Sequence, residues 1–161
     1  VDGRQALEQQ SLAHLLADTA IDDLYEFRML LETEAAARAA ERAGETERSA
    51  VSQALHRYEV AASAGDDPYL RDVEFHAAIA DASMNSAYAA ALSAVSNTLV
   101  AVRRATDEVP GAVERACIEH QAIADAIQEG NVEGARAAMV MHIQTARRTL
   151  HQARAEQPTD R

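Results

Sequence analysis

Residues 22–43 read DDLYEFRMLLETEAAARAAERA, an unbroken run without Gly or Pro that stops at Gly44. Ala, Leu, Glu and Arg dominate it, and these residues lose least on entering a helix. Leu24, Arg28, Leu31 and Ala35 recur every three or four positions, so they share one face. The run predicts a helix over about 21–43, and the rest of the chain is built the same way.

Working outward, the breakers divide the chain into further helical segments. One is expected before the run, over about 5–17, and one after it, over about 46–64, closed by Gly65. Asp67 can cap free amide groups and Pro68 suits a first helical turn, which opens a helix over about 68–84. Asn85 and Ser86 read as a stop and a restart, giving about 87–107; Val109-Pro110-Gly111 then separates it from about 112–129. Gly130 ends that segment and Asn131 caps the last, about 132–155, with a frayed tail from 156 to 161. No alternating strand pattern, linker or fixed-period repeat intervenes. The expected fold is all-α, a single antiparallel bundle of about seven helices over residues 1–155, and such bundles place ligand sites among facing helices.

Composition limits the function classes. All 15 basic residues are Arg, and 26 acidic residues bring the formal charge of the 161-residue chain to −11. So acidic a surface repels phosphate backbones, so DNA contact must come from another part of the protein. One cysteine, Cys117, excludes an internal disulfide. No apolar run approaches the roughly 18–20 residues that span a bilayer, and the first ten residues lack a signal-peptide layout, so a cytoplasmic location is expected.

Helix-face analysis sorts the six histidines into two groups. His14, His56 and His151 have mostly polar or charged neighbours at three and four positions and read as solvated. His76 lies in line with Asp72, Ile79 and Ser83. His120 lies in the stripe Ala116, Ile123, Ala124 and Ile127, and His142 in the stripe Ala135, Ala138, Met139 and Ala146. These three face the core, where an unsatisfied polar group costs on the order of 1–3 kcal/mol. Asp72 and His76, one turn apart, can offer two ligands to one ion. A hydrogen-bonded core histidine is the alternative for each taken singly; three inward histidines and an aspartate on three helices are harder to explain that way, and from the spacing alone the two readings stand level. Arg28 also faces inward and needs an anion, either Glu32 one turn along or the carboxylate of a ligand. Arg103, in line with Leu92, Ser96 and Leu99, is a second candidate, with Arg104 beside it as the exposed one.

Four stretches together resemble the FCD effector domains of GntR-type bacterial regulators of the FadR subgroup. Residues 22–43 are similar to the opening signature of that family, with Arg28 and Glu32 in matching places. RDVEFHAAIADASMN (71–85) resembles its D-x-x-F-H motif, IEHQAIADAIQEGN (118–131) its E-H-x-x-I motif, and ARAAMVMHI (135–143) its closing A-x-x-x-M-x-x-H motif. The resemblance places Asp72, His76, His120 and His142 in the metal-ligand positions. It implies a ligand-sensing, dimerising domain and not an enzyme, with an N-terminal winged helix-turn-helix, not part of this sequence, contacting DNA. The segment at about 5–17 matches the extra helix of seven-helix members. One carboxylate and three imidazoles suit zinc first, with nickel, manganese or iron also compatible, and leave a position for a small organic acid that Arg28 and Arg103 would help hold. The open alternatives are a metalloenzyme, for which Glu32 is the best additional acid or base, and a purely structural ion.

Overall fold

The computed structural model describes residues 21–99 and 106–156, and every regular element among them is a helix. We number them α1 (Ile21–Arg42), α2 (Glu45–Ala64), α3 (Tyr69–Ala82), α4 (Ser86–Thr98), α5 (Ala112–Gln128) and α6 (Val132–Glu156). The segment expected at 5–17 lies outside the described residues, as do 157–161. The all-α bundle anticipated from the sequence is therefore present, six helices of it within the described residues.

The helix ends follow local chemistry. Gly65 and Gly130 leave α2 and α5 in the left-handed conformation, with φ of 71° and 67°, where a side chain would be strained. The Asp67 carboxylate accepts from the Tyr69 amide at 3.0 Å, and Asn85 and Asn131 accept from the amides of Ala87 (3.0 Å) and Gly134 (2.9 Å). Those three side chains satisfy amides that the first turns of α3, α4 and α6 leave open. The expected helix over 87–107 is a correction: α4 ends at Thr98, and Leu99 leaves helical geometry at φ −92° and ψ 6°. Ser, Asn and Thr are weaker helix formers than Ala and Leu, so the sequence Ser96-Asn97-Thr98 lowers the helical preference of that segment. Residues 100–105 lie outside the described part, and Thr106 and Asp107 are again helical.

α1 is central and packs against α3, α4, α5 and α6, while α2 packs on α3 and α5. The core joins Leu24 and Tyr25 of α1 to Val51 and Leu55 of α2, Phe75 and Ile79 of α3, Ile123 and Ile127 of α5, and Met139 and Ile143 of α6. Each large apolar side chain so buried contributes about 1.5–3 kcal/mol. The second half of α1 contributes methyl groups instead: Ala35, Ala36, Ala37, Ala39 and Ala40 are all buried. No helix among the described residues is long and apolar enough to cross a membrane.

Candidate metal centre

His76, His120 and His142 are buried on α3, α5 and α6, while His56 and His151 are exposed, as the face analysis required. His14 lies outside the described residues. Each buried histidine belongs to an apolar stripe that fixes its direction. His120 begins the sequence His120, Ile123, Ala124, Ile127 along α5, and His142 follows Ala135 and Met139 on α6. The His120 ring packs against Phe75 and Tyr58, with centroids 4.5 and 4.7 Å away.

These stripes bring one atom from each of four side chains together. His142 Nε2 lies 3.3 Å from both His120 Nε2 and His76 Nε2. Asp72 Oδ1 lies 3.4 Å from His120 Nε2 and 3.6 Å from His76 Nε2, and all four atoms fall within 4.8 Å of one another. Bonds of about 2.0–2.1 Å would set neighbouring donors on one ion roughly 2.9–3.4 Å apart, from six- to four-coordinate geometry, so the spacing fits a transition-metal ion, and with five or six positions one or two stay open. A shared proton can bridge only one pair of these nitrogens, and His142 has two such neighbours. A divalent cation satisfies the four donors together, so Asp72, His76, His120 and His142 can hold one.

The outward nitrogens of two rings meet carboxylates. His76 Nδ1 contacts Glu32 Oε2, and His142 Nδ1 lies 2.9 Å from Glu119 Oε2. Arg28 is 2 % exposed and donates through Nε to Glu32 Oε1 at 2.6 Å. Burial pulls the guanidinium pKa down, and the Glu32 charge, helped by Tyr25, more than offsets it, so Arg28 remains charged. Of the two partners open to Arg28 from the sequence, the internal one, Glu32, is thus engaged. Glu32 lies between the two groups, one oxygen against Arg28 and the other against His76. Burial pushes the Glu119 carboxyl up, while a hydrogen bond from Thr145 and the charges of Arg115 and Arg148 pull it back.

A cavity of about 50 Å³ opens beside the cluster, with Asp72 and His142 in its wall. Arg28, Tyr25, Tyr58, Thr106, Asp107, Thr145 and Thr149 complete its polar lining together with Glu119. A water occupies about 10–15 Å³ of such space, so the cavity suits a handful of waters or a small polar molecule. Arg103 and Arg104 lie outside the described residues.

Glu119, the threonines, Tyr25, Tyr58 and Asp107 are the site residues that sequence reasoning missed. Glu119 directly precedes His120 in the chain yet serves His142, 23 positions on, and no helical spacing predicts that pairing. Its one signal was its place in the I-E-H motif. Thr145 and Thr149 lie one turn apart on α6, near His142.

Known proteins resemble this chain in sequence and in fold. The model of the FCD domain family matches residues 23–145. The chain is 31% identical over 144 residues to the HTH-type transcriptional regulator LutR of Bacillus subtilis (strain 168), a match spanning 86% of this chain and 66% of LutR. The solved structure of Streptococcus agalactiae GntR is similar with a TM-score of 0.69 and 31% identity, covering 78% of this chain and 57% of that one. The chain thus spans just under two thirds of the first relative and little more than half of the second. With the motifs, the helical order and these matches in agreement, the chain belongs to the FCD domain family.

Proposed function

We propose that this domain is the metal-dependent sensor of a GntR-type transcription regulator, binding a small organic acid and controlling an N-terminal DNA-binding domain. The observation that carries the reading is the convergence of Asp72, His76, His120 and His142 beside a small cavity whose wall includes Asp72, His142 and Arg28. The four side chains would hold a divalent ion, zinc first, which supplies a Lewis-acidic position for one carboxylate oxygen of the acid. Arg28 would face the remaining negative charge, while Tyr and Thr hydroxyls of the wall accept or donate to the acid's other polar groups. Arg103 remains a second candidate for the carboxylate on the sequence argument alone.

The similarity to LutR and GntR supports the regulatory role. In a homodimer, an acid that fits one arrangement of the helices better than another would shift the spacing of the two DNA-binding domains. A typical coupling needs a difference of about 1–3 kcal/mol between those arrangements.

The test is thermal unfolding of metal-loaded and chelator-treated protein across a panel of small carboxylic acids, with the acids recovered and analysed. The expected result is that particular acids raise the melting temperature of the metal-loaded form alone and are recovered unchanged. Stabilisation that ignores the metal, or chemical conversion of the acid, would contradict the reading.

A further inference from the structure

Two chains of polar contacts run outward from the histidine cluster, and they have the same order. In the first, Arg28 Nε donates to Glu32 Oε1 at 2.6 Å and the other Glu32 oxygen contacts His76 Nδ1. In the second, Arg148 Nη2 donates to Thr145 Oγ1 at 2.9 Å, Thr145 donates to Glu119, and Glu119 Oε2 lies 2.9 Å from His142 Nδ1. Each chain therefore ends with a carboxylate against the nitrogen that points away from the cluster.

An ionised carboxylate only accepts hydrogen bonds. A neutral imidazole beside one is favoured with its proton on the facing nitrogen, here Nδ1, which leaves a lone pair on Nε2. In the opposite tautomer a lone pair would face the carboxylate, and the Nε2 proton would crowd the cluster. The two Nε2 atoms concerned are the pair that approach to 3.3 Å.

We propose that Glu32 and Glu119 are positioning residues that hold His76 and His142 as Nδ1–H tautomers, aiming both Nε2 lone pairs into the cluster and raising its affinity for a divalent metal. The affinity half of this inference rests on the metal reading above; the tautomer half does not. The two anchors differ in kind. Glu32 is buried and clamped by Arg28, a residue of the cavity wall, so the cavity and His76 share a partner. Glu119 comes from α5, which also supplies His120, so one turn of α5 provides one donor and fixes the ring of another on α6.

Nitrogen-15 NMR of the histidine rings in metal-free protein at about pH 8, above the usual imidazole pKa, reads the tautomers directly. The expected spectrum has Nδ1 carrying the proton and Nε2 free of it in both His76 and His142, with Glu119→Ala removing the preference at His142 alone. Zinc competition titration with a chromophoric chelator then reads affinity. Glu119→Ala and Glu32→Gln are each expected to bind roughly 10- to 100-fold more weakly than wild type. Wild-type rings protonated at Nε2, or zinc affinities within twofold of wild type in both variants, would overturn the proposal. Should wild type take up no zinc, the metal reading fails, and the tautomer spectrum still decides whether these carboxylates orient the rings. Should Glu32→Gln fail to fold, the wild-type spectrum and Glu119→Ala carry the test.

Discussion

The two ends of α1 bury opposite kinds of side chain. Up to Glu32 it buries Tyr25, Arg28 and Glu32 on the side of the histidine cluster, whereas from Ala35 onward it buries Ala36, Ala39 and Ala40 and no charge. At the alanine end, polar contacts stay at the rim. Arg48 donates to the carbonyls of Ala43 (3.1 Å) and Gln128 (2.7 Å), and Gln128 donates back to Arg48 O and Ser52 Oγ, both at 2.7 Å. One helix thus serves as a close-packed spine at one end and as the charged wall of a site at the other. Small side chains leave no space for a ligand; the large polar ones border a cavity and need partners in its place.

The sharpest way to break this contrast is to remove charge from the first half. Arg28→Met leaves Glu32 buried without its counter-charge and should cost about 3–5 kcal/mol in urea unfolding. The double variant Arg28→Met/Glu32→Gln should recover much of that loss, because the stranded charge goes with it. A loss in the single variant no larger than that of a surface substitution would mean the buried pair is not what holds this end together.

Next in size is the response to metal. Zinc at 100 times its dissociation constant should stabilise wild type by about 2.7 kcal/mol, and His120→Ala should lose that increment. Overfilling the alanine end gives a smaller, separate effect. Ala39→Leu should destabilise by about 1–3 kcal/mol, measured by denaturant midpoint, with the zinc increment intact because the site lies at the other end. A lost zinc response in that variant would show the two ends to be coupled.

The smallest effect concerns the pair that ties α1 to α6 between these ends, Glu34 to Arg136 at 2.5 Å. The hydrogen bond from Arg136 holds the Glu34 carboxyl below the usual glutamate range. With the folded value depressed, the pair's contribution is full at neutral pH and disappears as the pH falls through that value. Glu34→Gln should therefore be slightly less stable than wild type at neutral pH, and the difference should vanish in acid, as the pH falls through the lowered pKa and the wild-type carboxylate protonates. Melting curves across pH measure it, and a difference that persists in acid would point to packing and not charge.

Much of this was legible in the sequence, for identifiable reasons. Gly65 and Gly130 act through their own backbone, and Asp67, Asn85 and Asn131 through side chains that cap amides two or three residues on, so their signals are local, and the helix ends they mark lie where expected. The inward histidines declared themselves through neighbours on the same helix. The end of α4 was misjudged because Ser96, Asn97 and Thr98 weaken a helix without containing a Gly or Pro to announce its stop. Glu119 was missed for a different reason. Its partner His142 lies on another helix, and only the packing of α5 on α6 brings the two together.

The central claim is that Asp72, His76, His120 and His142 hold one metal ion, and metal content tests it most directly. Elemental analysis of the purified protein after equilibration with zinc and removal of free ion should find one ion per chain. His76→Ala and His142→Ala, each confirmed as folded by circular dichroism, should retain far less. No bound metal in wild type, or full occupancy in both variants, would contradict the account.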